Sequence, residues 1–115
     1  MSASSSTRTV EIRSYRLRPG TRDAFHRLVA TTVMPMLRRW RMDVVRHGPS
    51  SHDGASYLLI RAYADLEARQ REQDAFYGSA EWREGPRQAV LDMIEEYLSV
   101  VLEMDAAALD TLRLE

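Results

Sequence analysis

In the segment VEIRSYRL, Glu11, Arg13 and Tyr15 stand at every second position, so an extended strand turns a carboxylate, a guanidinium and a phenol to one face. Arg61 and Tyr63 repeat that spacing at the end of SYLLIRAY, and His47 closes the short run DVVRH. Together these groups could do acid–base and binding chemistry. His47 or Glu11 would move a proton, Arg13 and Arg61 would hold a carboxylate or enolate-like oxygen, and Tyr15 and Tyr63 would donate hydrogen bonds. The same residues also fit a structural role, in which Glu11 pairs with Arg13 or Arg61 across strands and the tyrosines fill a core.

The remaining candidates are weaker. His26 stands one step off a helical apolar stripe, the place of an ordinary surface histidine, and His52 neighbours Asp53 in a loop, where adjacent residues rarely aim at one site. Three histidines without HxH or HExxH spacing, and no cysteine, offer no metal site. No glycine-rich phosphate loop occurs, so nucleotide cofactors are disfavoured, and Ser99 lacks a nucleophile-elbow pattern. All sixteen basic residues are arginine, which excludes lysine Schiff-base chemistry. Trp82, just after Phe76 and Tyr77, could close one end of a pocket over a substrate or anchor an irregular segment to the core.

The elements that must position these side chains follow from pattern. Val10 to Leu17 alternates strand-like and charged residues and predicts a first strand. Pro19-Gly20 breaks it, Thr21 offers a helix cap, and Phe25, Leu28, Val29, Val33, Met36, Leu37 and Trp40 recur at helical spacing. Pro35 should kink that helix or end its regular part. Asp43 to His47, the turn-rich Gly48 to Gly54, and Ser56 to Tyr63 predict a hairpin. In its second strand Leu58 and Ile60 share one face and Tyr57, Leu59, Arg61 and Tyr63 the other.

A second helical region starts at Asp65, is thin in apolar residues until Phe76, and is interrupted at Gly78-Ser79, with Glu81-Trp82 in a turn. Gly85-Pro86 opens a further helix with Ala89, Val90, Met93 and Ile94 inward, Tyr97 to Met104 is the last strand, and Asp105 could cap a short terminal helix burying Leu109 and Leu112. These boundaries give a polar tail over residues 1–8, one domain over residues 9–104, and a C-terminal extension over residues 105–115.

Composition narrows the function classes. A chain of 115 residues with 44% hydrophobic residues and a net charge of −1 is that of one soluble domain, with no field for a phosphate backbone. Neither nucleic acid nor a membrane is an expected partner, and the polar N-terminus, unlike a signal peptide, leaves a cytoplasmic location as the expectation.

The order strand, helix, strand, strand, helix, strand is the α+β, ferredoxin-like split βαβ arrangement, with helices over one face of a four-stranded antiparallel sheet. The other face is expected to carry Tyr57, Leu59 and Tyr63, with Ser99 and Val101, if Leu98, Val100 and Leu102 meet the helices. Such a face is too apolar to stay open, which predicts a homodimer through it, with the candidate site residues lining a shared cavity.

The segments VEIRSYRLRPGTRDAFHRL, MPMLRR, AYADLEAR and SAEWREG resemble the NIPSNAP family of dimeric α/β-barrel proteins, over about Val10 to Met104. The resemblance implies two ferredoxin-like units whose sheets pack face to face around a pocket. The wider superfamily includes cofactor-free monooxygenases, haem-degrading enzymes, dehydratases and isomerases, so the fold alone does not supply an activity. Relatives often place an aromatic residue where Arg61 stands here, and the absence of asparagine leaves the haem-degrading chemistry of some relatives without its residue set. The expectation is a protein that binds or acts on a small apolar or aromatic molecule without metal or nucleotide. The alternatives are a non-catalytic ligand-binding or regulatory module and a structural homodimerisation domain.

Overall fold

Period-two alternation in the strands and a 3.6-residue stripe in the first helix reach the same solution in residues 6–113, which the computed structural model describes. In chain order the elements are β1 (Thr7–Leu17), α1 (Arg22–Leu28), a π-helical turn (Val29–Val33), α2 (Met34–Arg39), β2 (Asp43–Pro49) and β3 (Ser56–Tyr63). They continue with α3 (Leu66–Tyr77), α4 (Ala80–Glu84), α5 (Arg87–Met93), β4 (Ile94–Asp105) and α6 (Ala106–Asp110). The four strands form one antiparallel sheet in the order β2-β3-β1-β4. This is the α+β, ferredoxin-like arrangement that the element order predicts.

Several local expectations hold for identifiable reasons. The π turn ends at Val33, two residues before Pro35, whose ring would strike the carbonyl four residues back and which has no N–H to donate; one wider turn accommodates both. Gly20 takes a left-handed φ of 79° in the turn between β1 and α1. Asp65 caps α3, its carboxylate accepting from the Ala68 N–H at 2.8 Å, and Asp105 caps α6 in the same way at 3.2 Å. Leu109 of α6 is fully buried.

Three boundaries differ. Trp82 lies in α4 and not in a turn, because Ser79 supplies a cap to the Trp82 N–H. Ile94 starts β4 and does not end α5. Most of the expected tail, residues 1–5, lies outside the described residues, but Thr7 and Arg8 already pair with Asp105 and Met104 of β4.

The larger correction concerns the sheet faces. Tyr57, Leu59 and Tyr63, expected on the side away from the helices, pack under them with Tyr15, Leu17, Phe25, Met34 and Trp82. The opposite side carries Val10, Val45, Ile60 and Ala62 beneath α6, with Ile12 and Leu58 beside them. Register then places Leu98, Val100 and Leu102 on that second side, since they stand opposite Ser14, Ile12 and Val10. They are strongly exposed there, Leu98 at 71% and Val100 at 58%. Both sides of β3 are apolar, so alternation alone cannot say which one the helices take. The side with large aromatic rings fills the deeper space under α1, α3 and α5.

Gly85 joins α4 to α5 with an irregular backbone (φ −97°, ψ −118°), and a Cβ there would press on the Glu81 carbonyl oxygen. That close turn sets Trp82 and Val90 on a common wall. Gly85→Ala should lower stability by about 1–3 kcal/mol, whereas Gly48→Ala, where a Cβ meets open space, should change it by less than about 0.5 kcal/mol. Urea denaturation of the two variants beside the unsubstituted protein measures the difference.

Candidate functional site

Pairing of β1 with β3 sets Glu11 opposite Arg61 on the side facing the helices, and pairing with β4 sets Arg13 opposite Ser99. Above them lies α3, whose Arg69, Gln73 and Tyr77 recur at i, i+4 and i+8, one line of side chains pointing at the sheet. The poverty of apolar residues in α3 has its explanation here, because part of what it covers is charged.

The Glu11 carboxylate accepts four hydrogen bonds. Arg61 Nη2 at 2.8 Å and Gln73 Nε2 at 2.7 Å donate to Oε1, and Arg13 Nη2 and Arg69 Nη2, both at 2.9 Å, donate to Oε2. Glu11 has no exposure and Arg61 1%. Arg61 Nη1 donates to the Tyr77 hydroxyl at 2.7 Å, and Gln73 Nε2 donates to the Tyr63 hydroxyl at 2.9 Å. Burial raises the Glu11 pKa, but the guanidiniums of Arg61, Arg13 and Arg69 outweigh it and hold the carboxyl at about 2. Glu11 is therefore a fixed anion near neutrality, poorly suited to accept a proton. Three guanidiniums on one carboxylate leave the network with an excess of positive charge and of donors, and the buried Nε atoms of Arg61 and Arg69 have no partner among the described residues.

On one flank of this network opens a cleft of about 260 Å³, walled by Arg13, Tyr15, Tyr77, Trp82, Val90 and Tyr97, with Arg87 at its rim. Behind it a small inner cavity of about 30 Å³ reaches Phe25, Met34 and Leu37. Tyr15, Tyr77, Trp82 and Val90 line both spaces and so form the wall between them. The rings of Tyr77 and Trp82 meet edge to face, 5.4 Å apart at 80°. Arg13 lies over the Tyr97 ring at 4.7 Å and donates through Nε to Ser99 Oγ at 3.0 Å.

His47 belongs to a different cluster. Its Nδ1 lies 3.0 Å from the Tyr57 hydroxyl, which also lies 2.6 Å from His26 Nδ1. One imidazole can donate to the phenol oxygen while the other accepts its proton. Burial lowers the His47 pKa, helped by His26 and Arg38, and burial together with Tyr15 raises that of Tyr57. The Tyr57 ring meets Phe25 edge to face at 5.0 Å and walls the inner cavity from the side opposite the cleft.

Of the seven residues singled out in the sequence, Glu11, Arg13, Arg61 and Tyr63 share one network, Arg13, Tyr15 and Trp82 line the cleft, and His47 stands apart with Tyr57. None of the seven lies on the bare sheet face. Arg69, Gln73 and Tyr77 escape a reading of isolated motifs, although their i, i+4, i+8 spacing in a helix with few apolar residues is a usable signal. His26, expected at the surface without a role, bonds to Tyr57, and His52 joins neither cluster.

The sequence pattern of the NIPSNAP family matches residues 10–105. No curated protein matches the chain. Among solved structures the chain is similar to an uncharacterised NIPSNAP-like domain protein from Burkholderia xenovorans, with TM-score 0.76, 21% identity and 83% of each chain covered. It is similar to a NIPSNAP family protein from Agrobacterium tumefaciens, with TM-score 0.79, 16% identity and 89% of this chain and 90% of the other covered. A putative antibiotic biosynthesis monooxygenase from Bordetella bronchiseptica shares the fold at TM-score 0.64 and 23% identity, over 84% of this chain and 94% of that one.

Two outcomes are expected. Glu11 is depressed from an ordinary 4.5 to about 2, so its contribution is complete above 4.5 and is lost as pH falls toward 2; the window holds about 3 kcal/mol. Urea denaturation between about pH 5 and pH 2 should show that loss in the unsubstituted protein and a flatter profile in Glu11→Gln, which should also be less stable by about 3–5 kcal/mol near neutrality. In an NMR titration His47 should change charge below the ordinary 6.5, and Arg38→Gln should move its midpoint upward.

Proposed function

The chain belongs to the NIPSNAP family, and from that premise we propose that it is a homodimeric protein that takes up a small apolar or aromatic molecule in the cleft between sheet and helices. The observation that carries this reading is the wall of Tyr15, Tyr77, Trp82 and Val90 shared by the open cleft and the inner apolar cavity. Concave, mostly apolar space beside a few placed polar groups is the usual form of a small-molecule site. Arg13 and Tyr15 would contact the ligand, Trp82 would lie against it, and Arg61 and Tyr63 would act from behind through the network. Glu11 orients the arginines in this reading, in place of the proton-moving role that its position in the sequence suggests.

The bare side of the sheet serves the dimer. Leu98, Val100 and Leu102 of the twelve-residue edge strand β4, with Ile12 of β1 and Leu58 of β3, make an apolar strip, and a second copy related by a two-fold axis would cover it with the same surface.

Turnover is the second reading. Arg13 and Tyr15 could stabilise an enolate-like oxygen, and His47 with Tyr57 could relay a proton at the inner end, so cofactor-free monooxygenase- or isomerase-like chemistry fits the same cavity. The fold likeness to the Bordetella protein is compatible with this and assigns no reaction.

Native mass spectrometry of the purified protein tests both parts. A dimer carrying an extra small-molecule mass is expected, with Leu98→Arg shifting the population to monomer. A monomeric unsubstituted protein overturns the dimer, and a dimer that takes up no small hydrophobic compound from an added panel marks a purely structural domain.

A further inference from the structure

The polar end of the cleft holds more donors than acceptors. Arg13 commits Nε to Ser99 and Nη2 to Glu11, and its guanidinium also faces the Tyr15 hydroxyl. The Tyr77 oxygen accepts from Arg61, and its own proton reaches no acceptor there. The Tyr15 oxygen accepts from the Arg13 guanidinium, which lowers its pKa, but burial and the nearby Tyr77 outweigh this and push it up to about 12, so that the hydroxyl keeps its own proton to donate. Behind this surface Glu11 is, among the described residues, the only carboxylate paired with Arg13, Arg61 and Arg69, and it already accepts four hydrogen bonds. Neutrality and hydrogen-bond satisfaction both call for an acceptor-only, negatively charged group at the cleft.

We infer that the ligand is a planar apolar acid, an aromatic or conjugated body bearing one carboxylate or similarly delocalised oxyanion, with the anion held by Arg13, Tyr15 and Tyr77. Its body lies along Trp82 and Val90 toward the inner cavity, where Phe25, Met34 and Leu37 accept only apolar groups. A carboxylate supplies lone pairs for three donors at once, whereas a neutral carbonyl leaves at least one of them unmet and an ammonium group meets repulsion from the guanidiniums. Arg87, exposed at the rim, adds attraction during approach. A small hydrated anion such as phosphate would use the donors and leave the aromatic wall uncovered. This assignment rests on the cleft being a ligand site, and it specifies what that site selects.

Isothermal titration calorimetry at neutral pH with a naphthoate, the matching neutral naphthamide and the matching naphthylmethylamine tests it on the intact protein. The acid is expected to bind at least about tenfold tighter than the amide, the scale of one charge-assisted hydrogen bond, and the amine weakest. Arg13→Gln should bring acid and amide to near equality. Because that substitution also strips a partner from Glu11, Tyr77→Phe is the second arm. It removes one hydroxyl from the wall, together with the acceptor of Arg61 Nη1, and should cut the ratio of acid to amide affinity several-fold. Equal binding of acid and amide by the unsubstituted protein overturns the anion assignment and leaves the ligand site standing. A preference for the acid that survives in Tyr77→Phe and in every folded Arg13 variant overturns the choice of residues. If none of the three compounds binds, both this assignment and the ligand-site reading fall.

Discussion

A carboxylate with no exposure to water, held by three guanidiniums and an amide, is the constraint around which the helical side of this protein is arranged. Alone, Glu11 would be costly to bury in its charged form, and Arg61 would be costlier still. Together they are tolerable only if every contributor keeps its place. Glu11 and Arg13 come from β1, Arg61 from β3, and Arg69 and Gln73 from α3, so the network ties the two central strands to the helix that crosses them. The seating of α3 then decides where Tyr77 goes, and through Phe76 and Tyr77 it decides where Trp82 packs. The cleft wall is in this sense a consequence of an ion pair buried behind it.

The two sides of the sheet answer opposite demands. Under the helices, aromatic rings and a charged cluster fill an uneven space, and small cavities remain where rings meet edge to face and do not interlock fully. On the other side the apolar residues are aliphatic, in a strip covered by α6 at one end and bare along β4 at the other. An aliphatic strip offers area with little recognition chemistry, which suits pairing with a like surface. The helical side offers little free area but several oriented donors, which suits a small molecule. The division of labour proposed for the two sides follows from that difference.

The Tyr57 cluster shows how closely the parts are coupled. One tyrosine closes the inner cavity with its ring and spends its hydroxyl on two histidines, one from α1 and one from β2. Its neighbour across the strand pair, Tyr15, lines the cleft with its own ring. Both rings meet Phe25, Tyr15 at 5.6 Å and Tyr57 at 5.0 Å, so the histidine pair and the cleft adjoin one aromatic cluster.

Much of this was legible in the residues alone. Element order, the interruption at Pro35, the caps at Asp65 and Asp105, and the sharing of one strand face by Glu11, Arg13 and Tyr15 all follow from spacing and local backbone chemistry, which act over a few residues. Those few residues also carry the likeness to the NIPSNAP family. Tertiary structure alone decided which face the helices cover, because both faces of β3 are apolar and their difference lies in the depth of space that the helices leave. It also decided that His47 parts company from Glu11, that Arg69 and Gln73 turn inward from a polar helix, and that Tyr77 joins the cleft. Each of these depends on where a helix sits over the sheet, and that position is set by packing and by a buried charge seeking partners 50 to 62 residues away in the chain, a distance at which local pattern carries no information.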